Sequence, residues 1–107
     1  MQADIPGALR ELGVVADRIA ELLEWEQLAQ HERRPDRPPA FQLRDHLPEE
    51  IVGLYSAFLT LSSSAHRALA AITAPGDLEQ AALWRRELLQ LEHRVMGWRI
   101  NERFIRP

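Results

Sequence analysis

Apolar residues recur at helical spacing in three stretches of the chain. In the first, Ile5, Leu9, Leu12, Ala16, Ile19 and Leu23 share one stripe, and Val15 and Leu22 widen it. Steps of three and four residues mark an amphipathic helix with one buried face, here predicted over about residues 5–32. Asp4 is placed to cap this helix. Pro6 is tolerated in the first turn because its missing N–H has no helical acceptor there. Arg33, Arg34 and Pro35 mark the end.

The period then stops. Pro35, Pro38, Pro39 and Pro48 forbid a regular helix through residues 33–48, and this connection is longer than most that join two helices. Phe41, Leu43 and Leu47 are apolar, so the segment is expected to lie down across its neighbours. A second helix is predicted over about residues 48–73. Its apolar positions, Ile51, Leu54, Tyr55, Phe58, Leu59, Leu61, Ala65, Ala68, Leu69 and Ile72, cover more than half of its circumference. A helix this apolar is contacted on more than one side, which puts it at the centre of a bundle. Pro75 and Gly76 end it, and Asp77 with Gln80 reads as a capping box for a third helix over about residues 78–104.

The third helix carries two stripes. Ala81, Trp84, Leu88, Leu91, Val95 and Trp98 form the main one. Leu78, Ala82, Leu89, Met96 and Ile100 form a narrower second one, with Arg85, Glu92, Arg99 and Arg103 between them. The main stripe suits the bundle's own core, and the second suits a further contact. The expected architecture is all-α: one domain, a three-helix up-down-up bundle with a long Pro-rich first connection, dimerising through an uncovered edge.

Composition narrows the chemistry. A chain of 107 residues holds one core and not two,. Its 46% hydrophobic and 27% charged fractions are those of a globular domain and argue against disorder,. With no cysteine there are no disulfides, thiolate zinc sites or cysteine nucleophiles,. All 13 basic residues are arginine, a usage expected of a GC-rich, bacterial genome. It also leaves no lysine side-chain amine for Schiff-base chemistry. No basic-then-apolar leader opens the sequence. The longest nearly unbroken apolar stretch, residues 51–61, would span only about 16 Å as a helix, far short of a bilayer. A cytoplasmic protein is expected, with no membrane association.

The net charge of −3 hides an asymmetry. Residues 1–32 carry Arg10 and Arg18 against seven acidic residues, whereas residues 85–106 carry six arginines against Glu87, Glu92 and Glu102. Neutralisation between the first and last helices of one bundle accounts for this pattern. Head-to-tail pairing of subunits, or an anionic partner at the C-terminal end, are the alternatives.

Arg86 and His93 lie two turns apart and within about 20° of each other on the third helix. This spacing resembles the arginine–histidine motif of HEPN-type ribonucleases, all-helical dimers with paired sites at the dimer interface. The resemblance covers one helix. It implies Arg86 holding a phosphate and His93 in acid–base chemistry, although Glu87 stands where that family usually has a small polar residue. His66 lies on the apolar face of the second helix, one turn after Ser62. It is expected to be a buried, hydrogen-bonded histidine near Trp84 or Leu88. A Ser–His pair also points to nucleophilic catalysis, for which an orienting acid is needed, and Glu26 is the acid on a core face in register.

No Glu-x-x-His pair occurs, the inward positions are apolar, and His31, His46, His66 and His93 fall on different segments without ligand spacing. Neither metal nor cofactor is therefore expected. Arg99, Arg103 and Arg106 fall within about 60° on a continuous third helix, which is the footprint of a nucleic-acid-binding regulator. Glu92 and Glu102 interrupt that patch, and cations at a helix C-terminus are favoured for dipole reasons alone, so nucleic acid is the weaker partner. Trp25 lies opposite the core stripe of the first helix, either covered by residues 41–47 or offered to a partner, as tryptophans at binding hot spots are. Leu89, Met96 and Ile100 line one edge without intramolecular cover, and a two-fold homodimer with Met96 near its axis would cover them. The function expected is that of a small protein–protein interaction module, an adaptor, assembly factor or regulatory subunit. It would present apolar helix faces to a partner or to its own copy. The Arg86–His93 ribonuclease and the arginine-patch regulator are the alternatives.

Overall fold

The computed structural model describes residues 4–31 and 47–105. Three helices, α1 (Ile5–His31), α2 (Leu47–Ala70) and α3 (Leu78–Met96), pack on one another as a bundle, and no strand occurs among the described residues. A 3-10 turn at Pro75–Asp77 leads into α3, and a π-helical turn at Asn101–Ile105 follows it.

α1 begins as its sequence dictates. The Asp4 carboxylate accepts the Gly7 N–H at 3.0 Å, and the Asp4 carbonyl accepts the Ala8 N–H at 3.0 Å. The first satisfies a donor that the opening turn leaves without a helical acceptor, and the second is the first regular bond of the helix. The whole predicted stripe, Ile5 through Leu23, is buried together with Leu22. Opposite it stand Ile51, Phe58, Ala65 and Leu69 of α2 and Ala81, Leu88 and Val95 of α3, all buried. α2 lies against both other helices. Its flanking residues Leu54, Tyr55, Leu61 and Ala68 are half-buried against the core, and Leu59 is left exposed.

Two predicted helix ends differ from those observed. The Asp77–Gln80 capping box does not form. Asp77 already has helical backbone angles (φ −103°, ψ −8°) and its side chain makes no capping bond. A side-chain cap needs an extended residue at that position. Here the extended residue is Ala74 (ψ 127°), because Pro75, Gly76 and Asp77 wind into a 3-10 turn, closed by an Asp77 N–H to Ala74 carbonyl bond of 2.9 Å.

The second difference decides the shape of the C-terminal end. α3 stops at Met96 rather than near residue 104. The N–H groups of Trp98 and Arg99 reach back only three residues, to Val95 and Met96, each at 3.2 Å. Arg99 itself takes φ 52°, in the left-handed region. That conformation costs a non-glycine residue about 1–2 kcal/mol. It turns the chain so that Ile100, only 1% exposed, enters the core, with Phe104 packed against it. Full burial of an isoleucine stabilises by about 1.5–3 kcal/mol, enough to hold the strained residue in place. Among the described residues no helix is long and apolar enough to cross a membrane.

Candidate interaction surface on α2 and α3

The α2–α3 seam is joined by polar contacts at three levels. Tyr55 donates its hydroxyl to the Met96 sulfur at 3.8 Å. Farther along α2, the Ser62 hydroxyl donates to Glu92 Oε2 at 2.8 Å, and His66 Nε2 lies 2.8 Å from Glu92 Oε1. An ionised carboxylate only accepts, so Nε2 carries the proton in that contact. Ser62 is buried and needs an acceptor, because an unpaired buried hydroxyl is costly. One Glu92 side chain therefore ties two turns of α2 to α3.

The acid that meets Ser62 and His66 is thus Glu92 and not Glu26, which is buried on α1. His66 is exposed rather than buried, its side chain 43% accessible, and its partner sits one turn beyond Leu88. In the sequence Glu92 stands out as a separator between the two stripes of the third helix and as an interruption of the arginine patch, not as a partner of Ser62 and His66. Its place one turn after Leu88, on the flank turned toward α2, was the signal available. The arrangement does not support nucleophilic catalysis. The Ser62 proton goes to a carboxylate, the imidazole does not touch the hydroxyl, and Ser62 has no surface to present to a substrate,. Its role is structural. Glu92→Ala is expected to cost about 1–3 kcal/mol because it strands the buried hydroxyl. His66→Ala should cost under about 1 kcal/mol, as for other exposed pairs. Urea titration of both variants checks this, and equal losses would contradict it.

Charged contacts join the remaining faces. Arg94 of α3 meets Asp17 of α1 at 2.9 Å, one realised instance of the charge asymmetry between the first and last helices, and its guanidinium lies 5.3 Å from the Trp98 ring centroid. Arg18 meets Glu21 and, across to α2, Glu50, each at 3.2 Å. The Glu21 carboxylate first and the Glu50 carboxylate second hold the Arg18 guanidinium above its ordinary, already high, pKa. These pairs are exposed, so they orient the helices more than they stabilise them.

The apolar surface left over is uneven. On α3, Leu78, Leu89 (54% exposed) and Met96 (49%) stand in line, with exposed Ala82 between the first two. Positions 82, 89 and 96 recur every seven residues along one edge. Because Tyr55 reaches Met96, this edge borders α2, whose exposed Leu59 stands one turn on from Tyr55. Ile100, expected on the same edge, is not part of it. The break at Arg99 removes it to the core. Trp25 (59% exposed) and Val14 lie on the outer face of α1. Phe41 and Leu43, expected to reach toward Trp25, lie outside the described residues, while Leu47 packs against the core.

Arg86 and His93 are both exposed, on the border of the α3 edge away from α2. Neither makes an ion pair or side-chain hydrogen bond to another described residue. Arg99 and Arg103 are exposed, but they lie beyond the end of α3 and do not continue its phase, so the expected patch on one helical face is not built. The Arg103 guanidinium lies 5.6 Å from the Phe104 ring centroid, and Arg106 lies outside the described residues. No group of His, Asp and Glu able to hold a metal occurs among the described residues. No protein-family model, curated protein or solved structure matches the chain.

Proposed function

We propose that this chain is a small helical protein–protein interaction module, an adaptor, assembly factor or regulatory subunit, which engages its partner through the α2–α3 edge. The observation that carries the reading is the line of exposed Leu78, Leu89 and Met96 on α3, bordered by the α2 face that holds Tyr55 and exposed Leu59. Isolated exposed apolar residues are ordinary, but an aligned set on one edge is the mark of a contact surface. Glu92, bonded to Ser62 and His66, holds the two helices beneath that edge. A surface ordered in advance loses less freedom on binding.

The up-down-up course assigned to the helices draws support from the pairing order, Tyr55 with Met96 and Ser62 with Glu92, in which partners descend along α3 as they ascend along α2. The setting assigned with this reading is a bacterial cytoplasm, and the all-arginine basic complement fits a GC-rich, bacterial genome.

The test is a photo-crosslinking amino acid placed at Leu89 or at Leu83, which is exposed on a different face of α3, in cells that make the protein. Adducts are expected from position 89 and not from position 83. Equal yields from the two positions, or none from position 89, would overturn the reading.

A further inference from the structure

We infer that the occupant of the α2–α3 edge is a second copy of this chain, docked with α3 antiparallel to its own image about a two-fold axis through Leu89. The inference rests on the reading of that edge as a binding surface and adds the partner and the register.

In an antiparallel helix pair about such an axis, residues meet when their numbers sum to a constant. With the axis at Leu89 that residue meets itself, and Met96 meets the partner's Ala82. The long, unbranched methionine then lies over the smallest apolar side chain of the strip, once on each side of the axis, and methionine adapts well to such a recess. Exposed Leu59, one turn along α2 from the Tyr55 that bonds Met96, extends the same contact.

Charge selects the same register. Arg85 and Glu92 lie on the same border of the strip, the one next to α2, and positions on the same border face each other in an antiparallel pair. Arg85 therefore comes within one residue, about 1.5 Å of helical rise, of the partner's Glu92 on the facing border, and the symmetry makes the pair twice. Arg85 is exposed and makes no ion pair or side-chain hydrogen bond to another described residue of its own chain. Glu92 remains 22% exposed, and each carboxylate oxygen keeps a lone pair after binding Ser62 or His66.

Other registers are worse. A parallel two-fold pair exchanges the two borders, so it would set Arg85 against the partner's Arg86 at the same height and leave a gap between facing Ala82 residues. The register with Met96 at the axis, which requires a continuous third helix, would pair Leu89 with position 103. The helix has ended before that point, and Ile100, which would have flanked the axis, is buried.

Because the chain has no cysteine, Leu89→Cys supplies a single thiol. The purified variant, treated with a short thiol–thiol crosslinker, is expected to give a covalent dimer, whereas Leu83→Cys stays monomeric. The unmodified protein should sediment as a dimer at tens of micromolar. Arg85→Glu should weaken that dimer about tenfold or more in Kd, with unchanged helical circular dichroism, by setting two carboxylates against each other. A wild-type monomer, equal crosslinking at positions 83 and 89, or an Arg85→Glu dimer as tight as wild type overturns the proposal. If the in-cell adducts from position 89 contain only a different protein, the interaction module stands and the homodimer falls. If no adduct forms there, both fall.

Discussion

Phe58→Ala is expected to lower stability by about 3–5 kcal/mol, the range for removing a buried aromatic ring. Phe58 is the largest of the fully buried side chains and stands near the middle of α2, which packs on both other helices as each of them does on the rest. The surrounding residues belong to rigid helices and cannot collapse fully into the space, so a cavity term adds to the lost transfer energy. A domain of this size has only about 5–15 kcal/mol in total, so the loss is a large share of what holds it together. Urea titration should show a lower midpoint with a similar slope. A loss under about 1 kcal/mol would mean that Phe58 does not stand in the core.

The second large effect is expected at Ile100. Ile100→Ala should cost about 2–5 kcal/mol, while Leu83→Ala, at an exposed site, should stay within about 0.5 kcal/mol of wild type,. The comparison tests the break at Arg99. If the third helix ran straight to residue 104, Ile100 would stand beside Met96 on the outer edge. Its truncation would then loosen self-association and leave the fold nearly untouched. Denaturation together with sedimentation of Ile100→Ala separates the two geometries. A stable variant that has lost its dimer would place Ile100 outside and restore the continuous helix.

The same residue shows where reading from periodicity succeeds and where it stops. A hydrophobic stripe reports which face of a helix is buried only for as long as the helix continues. The α1 stripe met no interruption, and all six of its predicted residues are buried. On α3 the phase was right through Leu88 and Val95. It failed beyond Gly97 because no local signal announced a left-handed arginine. Glycine is the usual residue at such a stop, yet Gly97 has φ −61° and the positive φ falls two residues later, on Arg99.

The polar site was legible in its parts but not as a whole. Ser62 and His66 are one turn apart on α2, so their shared face follows from sequence. Which acid would meet them depends on how α2 and α3 sit against each other, and nothing within either helix states that offset. The outer edge was legible for Leu89 and Met96, whose exposure follows from their phase, but not for Leu59, which was counted among the core positions of the second helix.

By itself the sequence determined the all-helical class, the first helix with its Asp4 cap, and the stripes that form the core. It also removed cysteine chemistry and lysine amine chemistry. These are local or compositional properties, set by side chains a few residues apart or by residue types that are simply missing. Only the tertiary structure decided that Glu92 is the acid bound to Ser62 and His66, that Tyr55 of α2 meets Met96, and that Ile100 belongs to the core. Each of these depends on contacts between segments tens of residues apart. There the burial of one isoleucine can outweigh the local preference of an arginine for an ordinary helical backbone.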